Sequence, residues 1–166
     1  MPLIVPEQQD DALLADIAAR HNGDHLDIWW LGQSGFLLQW QERHLLFDPY
    51  LSDSLTVKYA ATDKPHVRMT EICVAPGRLD FVDLATSTHN HTDHLDAATL
   101  LPLMAVNPAL QLLVPEANRA FAAERLDCDP DWLAGMEDGK VHDYAGFAVE
   151  GVPAAHEALD TDAAGR

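Results

Sequence analysis

Three imidazoles and a carboxylate fall within the six residues His89, Asn90, His91, Thr92, Asp93 and His94. The run follows the apolar stretch Phe81 to Thr88, which reads as a strand, so the cluster sits at a strand end. Alternate side chains of an extended segment share a side, and His89 and His91 can therefore close on one metal ion. Asp93 and His94 lie where the chain must turn and can serve a second ion beside the first. Imidazole nitrogen and carboxylate oxygen suit zinc or the harder manganese, whereas copper(I) and iron–sulfur clusters want thiolate. Cys73 and Cys128 stand in unrelated segments without ligand spacing, which indicates neither a disulfide framework nor a thiolate site.

The run resembles the metal-binding signature of the metallo-β-lactamase superfamily. In its longer form, Thr88-His-Asn-His-Thr-Asp-His-Leu-Asp96, it is similar to the branch holding L-ascorbate-6-phosphate lactonase-like hydrolases and N-acylphosphatidylethanolamine phospholipase D-like phosphodiesterases. Trp30-Leu-Gly-Gln-Ser-Gly-Phe-Leu-Leu38, followed by Leu46-Phe-Asp-Pro-Tyr-Leu51, resembles the opening hairpin and the Asp-Pro strand of those proteins. The resemblance implies an α/β fold, an αββα sandwich with its metals at one edge. The chain looks like the N-terminal portion of such a sandwich, one domain over residues 1–166 that is incomplete at its C-terminal side.

The same resemblance implies residue roles. His156, just past a strand that ends at Val152, is the third ligand of the first ion beside His89 and His91. Asp93 and His94 begin the second site, and Asp93 is also the catalytic carboxylate that orients the attacking water. Asp48 ends its strand beneath the metal loop and holds a ligating histidine by its other ring nitrogen; an ordinary aspartate before proline in a turn is the alternative. A bridging aspartate and a last histidine belong, by the resemblance, to strands past the ten residues that follow His156. Asp160 and Asp162 follow His156 too closely to lie on the next strand and are not assigned. The chemistry implied is hydrolysis by a metal-bound hydroxide on two divalent ions, zinc or manganese. Its substrate is a lactone or a phosphate-bearing small molecule. A metal-dependent phosphodiesterase and a catalytically incomplete metal-binding fragment are the competing readings.

Composition narrows the partners. The chain of 166 residues carries 27 acidic and 10 basic side chains, a formal charge of −17, which repels phosphate backbones and argues against a nucleic-acid partner. An anionic small-molecule substrate then needs a local basic seat. Lys58, Lys64 and Arg68, interleaved with Tyr59 and His66, supply one within a long loop over residues 51–78; a solvated loop surface is the plainer reading of the same residues. His21, His25, His44 and His142 read as structural or exposed. The start of the chain has only the short apolar Pro2-Leu-Ile-Val5, with no basic lead, so no signal peptide is expected and cytoplasm is the default. No run is long enough to span a membrane. Homo-oligomerisation is left open.

The elements that must position the cluster follow from pattern. Asp10 or Asp11 caps a helix with Leu13, Leu14, Ile17 and Ala18 on one face and Gly23 as its stop. Strands are expected at Leu26 to Leu31, Phe36 to Trp40 and His44 to Phe47, with Trp29, Trp30 and Trp40 filling core or shielding the sheet. Asp96 caps a helix through Ala97, Leu100, Leu101 and Met104, which Pro102 breaks or delays. A strand at Leu110 to Val114, a helix at Glu116 to Leu126 and a strand at Phe147 to Val152 complete an alternating order.

Overall fold

The computed structural model describes residues 2–20 and 24–153. After helix α1 (Asp10–Ala19), three strands run antiparallel in sequence: β1 (Asp27–Gly32), β2 (Gly35–Trp40) and β3 (Arg43–Phe47). Both hairpin turns use left-handed backbone, at Gln33 (φ 52°) in the first and at Gln41 (φ 50°) and Glu42 (φ 20°) in the second, the twist that tight hairpins require. Gly32 has φ +89°, and a Cβ there would lie 2.9 Å from Thr70 Oγ1, so conformation and space both call for glycine.

Three further strands extend the sheet in parallel, β4 (Leu84–Thr86), β5 (Gln111–Pro115) and β6 (Ala134–Met136), giving the order β1-β2-β3-β4-β5-β6. Each parallel step needs a crossover. The crossovers carry α2 (Ser54–Tyr59), α3 (Ala97–Val106) and α4 (Arg119–Leu126) in turn. A separate hairpin follows, of β7 (Val141–Tyr144) and β8 (Phe147–Glu150).

Strand alternation divides the apolar residues between two clusters. Leu37, Leu46, Ala85, Leu112 and Val114 join Leu13 and Ile17 of α1, Leu100 and Leu103 of α3, and Leu126 of α4 in the larger core. Their neighbours Leu45, Leu84 and Leu113 form a smaller cluster, against which Tyr144, Phe147 and Val149 of the β7–β8 hairpin pack. Full burial of each such side chain is worth roughly 1.5–3 kcal/mol. On β1 and β2, however, Ile28, Trp30, Phe36 and Trp40 remain 57, 60, 41 and 39% exposed. Of the three tryptophans expected to fill core or shield the sheet, Trp29 packs against the core, its Nε1 donating to Asp16 Oδ2 at 2.9 Å.

The segment 51–78 is more ordered than its irregular pattern suggests. It holds α2 and a 3₁₀ turn at Pro76–Arg78, and a parallel bridge joins Ile4 to Thr70. Helix α3 runs unbroken through Pro102. The backbone acceptor that the proline leaves without its N–H belongs to Ala98, which is exposed, so water can satisfy it. Strands β6 and β7 are short and were not anticipated from pattern. No helix among the described residues is long and apolar enough to cross a membrane.

Candidate functional site

Neighbouring parallel strands β3 and β4 end side by side, with Leu45 opposite Leu84 and Leu46 opposite Ala85. Asp48 follows the first and the histidine run follows the second, at the carboxyl ends where open α/β sheets place their ligands. Ser87 N still bonds to Leu113 O of β5 at 2.9 Å, after which the chain turns. His94 N and Leu95 N both donate to His91 O, at 3.0 and 2.8 Å. This turn, rather than strand alternation, gathers the imidazoles: the His89 ring centroid is 4.0 Å from that of His94 and 4.7 Å from that of His91.

Asp48 is the hub beneath them. It is only 5% exposed and sits in left-handed backbone at φ 38°, a conformation aspartate tolerates better than most residues. Oδ1 accepts from Thr86 Oγ1 at 2.8 Å and from Thr88 N at 3.0 Å. Oδ2 accepts from Thr88 Oγ1 and from His94 Nδ1, the latter at 2.6 Å. Burial alone would push this carboxyl upward, but the hydrogen bonds from His94, Thr88 and Thr86 outweigh it and hold the group below the usual carboxylate range.

The two imidazoles beside it shift in opposite senses, for different causes. The bond to Asp48 raises His94 above the ordinary histidine value, against the opposing pull of burial. It also keeps the proton on Nδ1 and leaves Nε2, 3.5 Å from Asp93 Oδ2, as the nitrogen able to ligate. His89 is lowered, first by burial and then by the neighbouring His94 and His91, so its lone pair is available near neutral pH. Donor atoms of Asp48, His89 and His94 lie within 4.8 Å of one another. With four hydrogen bonds already accepted, the Asp48 carboxylate is better placed to orient His94 than to bind an ion itself. Imidazole and carboxylate donors with one histidine held neutral and another held in a fixed tautomer fit a divalent ion. Cys73, buried with its thiol donating to Leu31 O, takes no part.

Residues outside the run brace it. Ser34 Oγ, in the β1–β2 turn, is 2.8 Å from Asp93 O and 3.1 Å from Asp48 O. Arg125 Nη1 on α4 donates to Asn90 O at 2.8 Å and Leu95 O at 3.1 Å, its guanidinium 4.5 Å from the Phe121 ring centroid. Asp96 stands at the start of α3, but its carboxylate accepts from Ser52, Ser54 and Thr99 hydroxyls instead of capping helix N–H groups. No sequence signal marked Arg125, whose helical spacing reads as an ordinary amphipathic position. Ser34 lay in a quoted motif without a role.

Beside the run lies a cleft of about 540 Å³, lined by Lys58, Lys64 and His66 with His91 and Asp93. Lys58 Nζ donates to Thr92 Oγ1 at 3.3 Å. Arg68 is placed differently from the sequence expectation. It is 4% exposed, and its Nε and Nη1 donate to the carbonyls of Thr70, Tyr50 and Ser52, so it ties the 51–78 segment together rather than facing the cleft. His156, with Asp160 and Asp162, lies outside the described residues. A second cleft of about 450 Å³, between residues 4–8, β1 and residues 70–73, has no histidine in its lining.

Residues 27–166 match the family model described as a beta-lactamase superfamily domain. Among solved structures, the chain is similar to a protein of Parabacteroides distasonis ATCC 8503 provisionally described as a metal-dependent hydrolase. That likeness has 15% identity and a TM-score of 0.44 over 70% of this chain and 40% of that one. It is also similar to CmlA, described as a diiron β-hydroxylase, from Streptomyces venezuelae, with 20% identity and a TM-score of 0.46 over 79% of this chain and 27% of that one. The chain thus spans less than half the length of either. No curated protein matches it.

Proposed function

Because the chain belongs to the beta-lactamase superfamily, we propose that it supplies the metal centre of a metal-dependent hydrolase acting on a lactone or a phosphate-bearing small molecule. The observation that carries this is the convergence of His89, His91, Asp93 and His94 on one turn above the Asp48 carboxylate. His89 and His91, with His156 as the resemblance implies, would hold one divalent ion, zinc or manganese; Asp93 and His94 would begin the site of a second. An ion bound there supplies Lewis acidity and lowers the pKa of a coordinated water from about 15.7 to about 7.

This chain's own groups do the rest. Asp48 fixes the His94 ring and keeps Nε2 outward. The Asp93 carboxylate, 38% exposed, accepts a hydrogen bond from the attacking water and orients it toward the substrate carbonyl or phosphorus. Ser34 and Arg125 hold the turn still while this happens. A phosphodiester is the second substrate class, because the same phrase of residues, His89 to Asp96, resembles both branches.

The test is elemental analysis and turnover on the same preparation. Zinc- or manganese-loaded chain should hydrolyse a sugar lactone or a bis-aryl phosphodiester, and removal of the ion by a chelator should abolish it. A chain that takes up no divalent ion at all would overturn the reading. Tight metal uptake without turnover would instead favour a catalytically incomplete metal-binding fragment.

A further inference from the structure

The cleft beside the histidines gathers positive charge in a chain that is otherwise strongly negative. Lys58, Lys64 and Arg125 are three of only ten basic residues in a protein of formal charge −17, and all three line this one cavity. They come from different parts of the chain: Lys58 from α2, Lys64 from the segment after it, Arg125 from α4. Lys58 and Lys64 are near in sequence, and the fold brings Arg125 to them.

Two of these cations lie over aromatic rings. Lys58 Nζ is 5.3 Å from the Tyr59 ring centroid, and the Arg125 guanidinium is 4.5 Å from that of Phe121, so each head group is fixed against a wall of the cleft. Lys58 Nζ also bonds Oγ1 of Thr92, the residue between His91 and Asp93. His66 lines the same cavity, and its Nδ1, shielded from solvent, has no hydrogen-bond partner. Among the described residues, Asp93 is the one carboxylate that lines the cleft.

We propose that this cleft is an anion subsite, in which Lys58, Lys64 and Arg125 hold a phosphate or carboxylate group on the substrate's non-reacting end. It rests on the hydrolase reading for its purpose, but it predicts binding that needs no metal. A cavity of about 540 Å³ has room for a small anionic ester beside the histidines. The site replaces the expectation that Arg68 makes this contact, since Arg68 is buried away from the cleft, which Arg125 lines. Arg125 would then both brace Asn90 and Leu95 and face the anion, linking occupancy of the subsite to the shape of the metal turn.

The experiment titrates chelator-treated, metal-free chain with inorganic phosphate, phenyl phosphate and benzoate, and with benzyl alcohol as the neutral control. Amide and aromatic NMR shifts around Tyr59, Phe121 and His66 provide the readout. Saturable binding of the anions without the alcohol is expected, weakened at least tenfold in Lys58→Gln/Lys64→Gln, while the zinc content of that variant after reconstitution stays at the wild-type level. Phosphate and phenyl phosphate binding without benzoate marks a phosphate subsite; equal binding of benzoate marks a general anion seat. Anion binding unaltered by the double substitution, or absent from the wild type, overturns the subsite. Loss of anion binding together with normal metal uptake and ester turnover would leave the hydrolase reading standing, and anion binding without metal uptake would sink that reading alone. Arg125→Lys, which keeps the charge, should retain most of the binding that Arg125→Gln loses, separating the charge from any change in folding.

Discussion

Asp48 Oδ2 lies 2.6 Å from His94 Nδ1 across forty-six residues of sequence, and that one bond ties the end of β3 to the turn that follows β4. A carboxylate behind a ligating imidazole fixes ring orientation and tautomer, and losing it typically costs about 10–100-fold in metal affinity. Asp48→Asn should therefore weaken zinc binding by roughly that factor in a chelator competition, with the far-ultraviolet circular dichroism spectrum retained. Wild-type affinity in the variant would show that His94 is held by something else.

The imidazoles that carry the proposal most directly are His89 and His91. Alanine at both should abolish uptake of zinc and manganese, and elemental analysis after dialysis reads it. A double variant that retains its metal would remove the basis for a metal centre at this turn.

Arg125 is a positioning residue for the loop. Losing its bonds to Asn90 and Leu95 should accelerate amide exchange across residues 90–95 and weaken metal binding, with Arg125→Lys recovering part of both because the ammonium can still reach one carbonyl. Unchanged exchange in Arg125→Gln would mean that the turn is held by Ser34 and Asp48 without it.

Away from the site, the Trp29 indole donates to Asp16, and that bond, helped by Arg20, holds the Asp16 carboxyl below its ordinary value against the opposing pull of burial. A lowered folded value means the stabilisation is fully present above the unfolded carboxylate value of about 3.9 and is lost as pH falls through the folded one. The Trp29 indole N–H resonance should accordingly hold its position down to about pH 4 and shift below it, and in Asp16→Asn the acid shift should vanish. A shift centred at pH 6 would point to a histidine instead.

Leu112, the second residue of β5, is fully buried in the larger core. Leu112→Ala should cost about 2–5 kcal/mol, read as a lower midpoint in urea with little change in slope.

Much of this was open to a reader of the sequence, for physical reasons that differ by element. The opening strands announce themselves because β1, β2 and β3 are short apolar runs bounded by turn residues. The histidine run is visible because three imidazoles in six residues have few other uses. What pattern alone could not supply was geometry across distance. The rings of His89 and His94 meet through a hydrogen-bonded turn, not through strand alternation, and the bracing by Ser34 and Arg125 joins segments tens of residues apart. Arg68 looked free because a basic residue in a polar loop usually is; its burial depends on backbone carbonyls that no sequence pattern advertises. Pro102 misled in the other direction, since its cost depends on whether the orphaned carbonyl faces water.

Ser34 touches both Asp93 O and Asp48 O, so the first hairpin turn, the end of β3 and the metal turn close on one hydroxyl. An unfolded chain keeps the histidines close in sequence but cannot set Asp48 behind His94, because Asp48 and the histidine run meet only after that long loop has closed. The unfolded chain should then bind the ion more weakly than the native one, and the ion becomes a folding ligand. At a free concentration one hundred times its dissociation constant it would add about 2.7 kcal/mol to stability by mass action, so the melting temperature of the chain should climb with metal concentration well past saturation of the site.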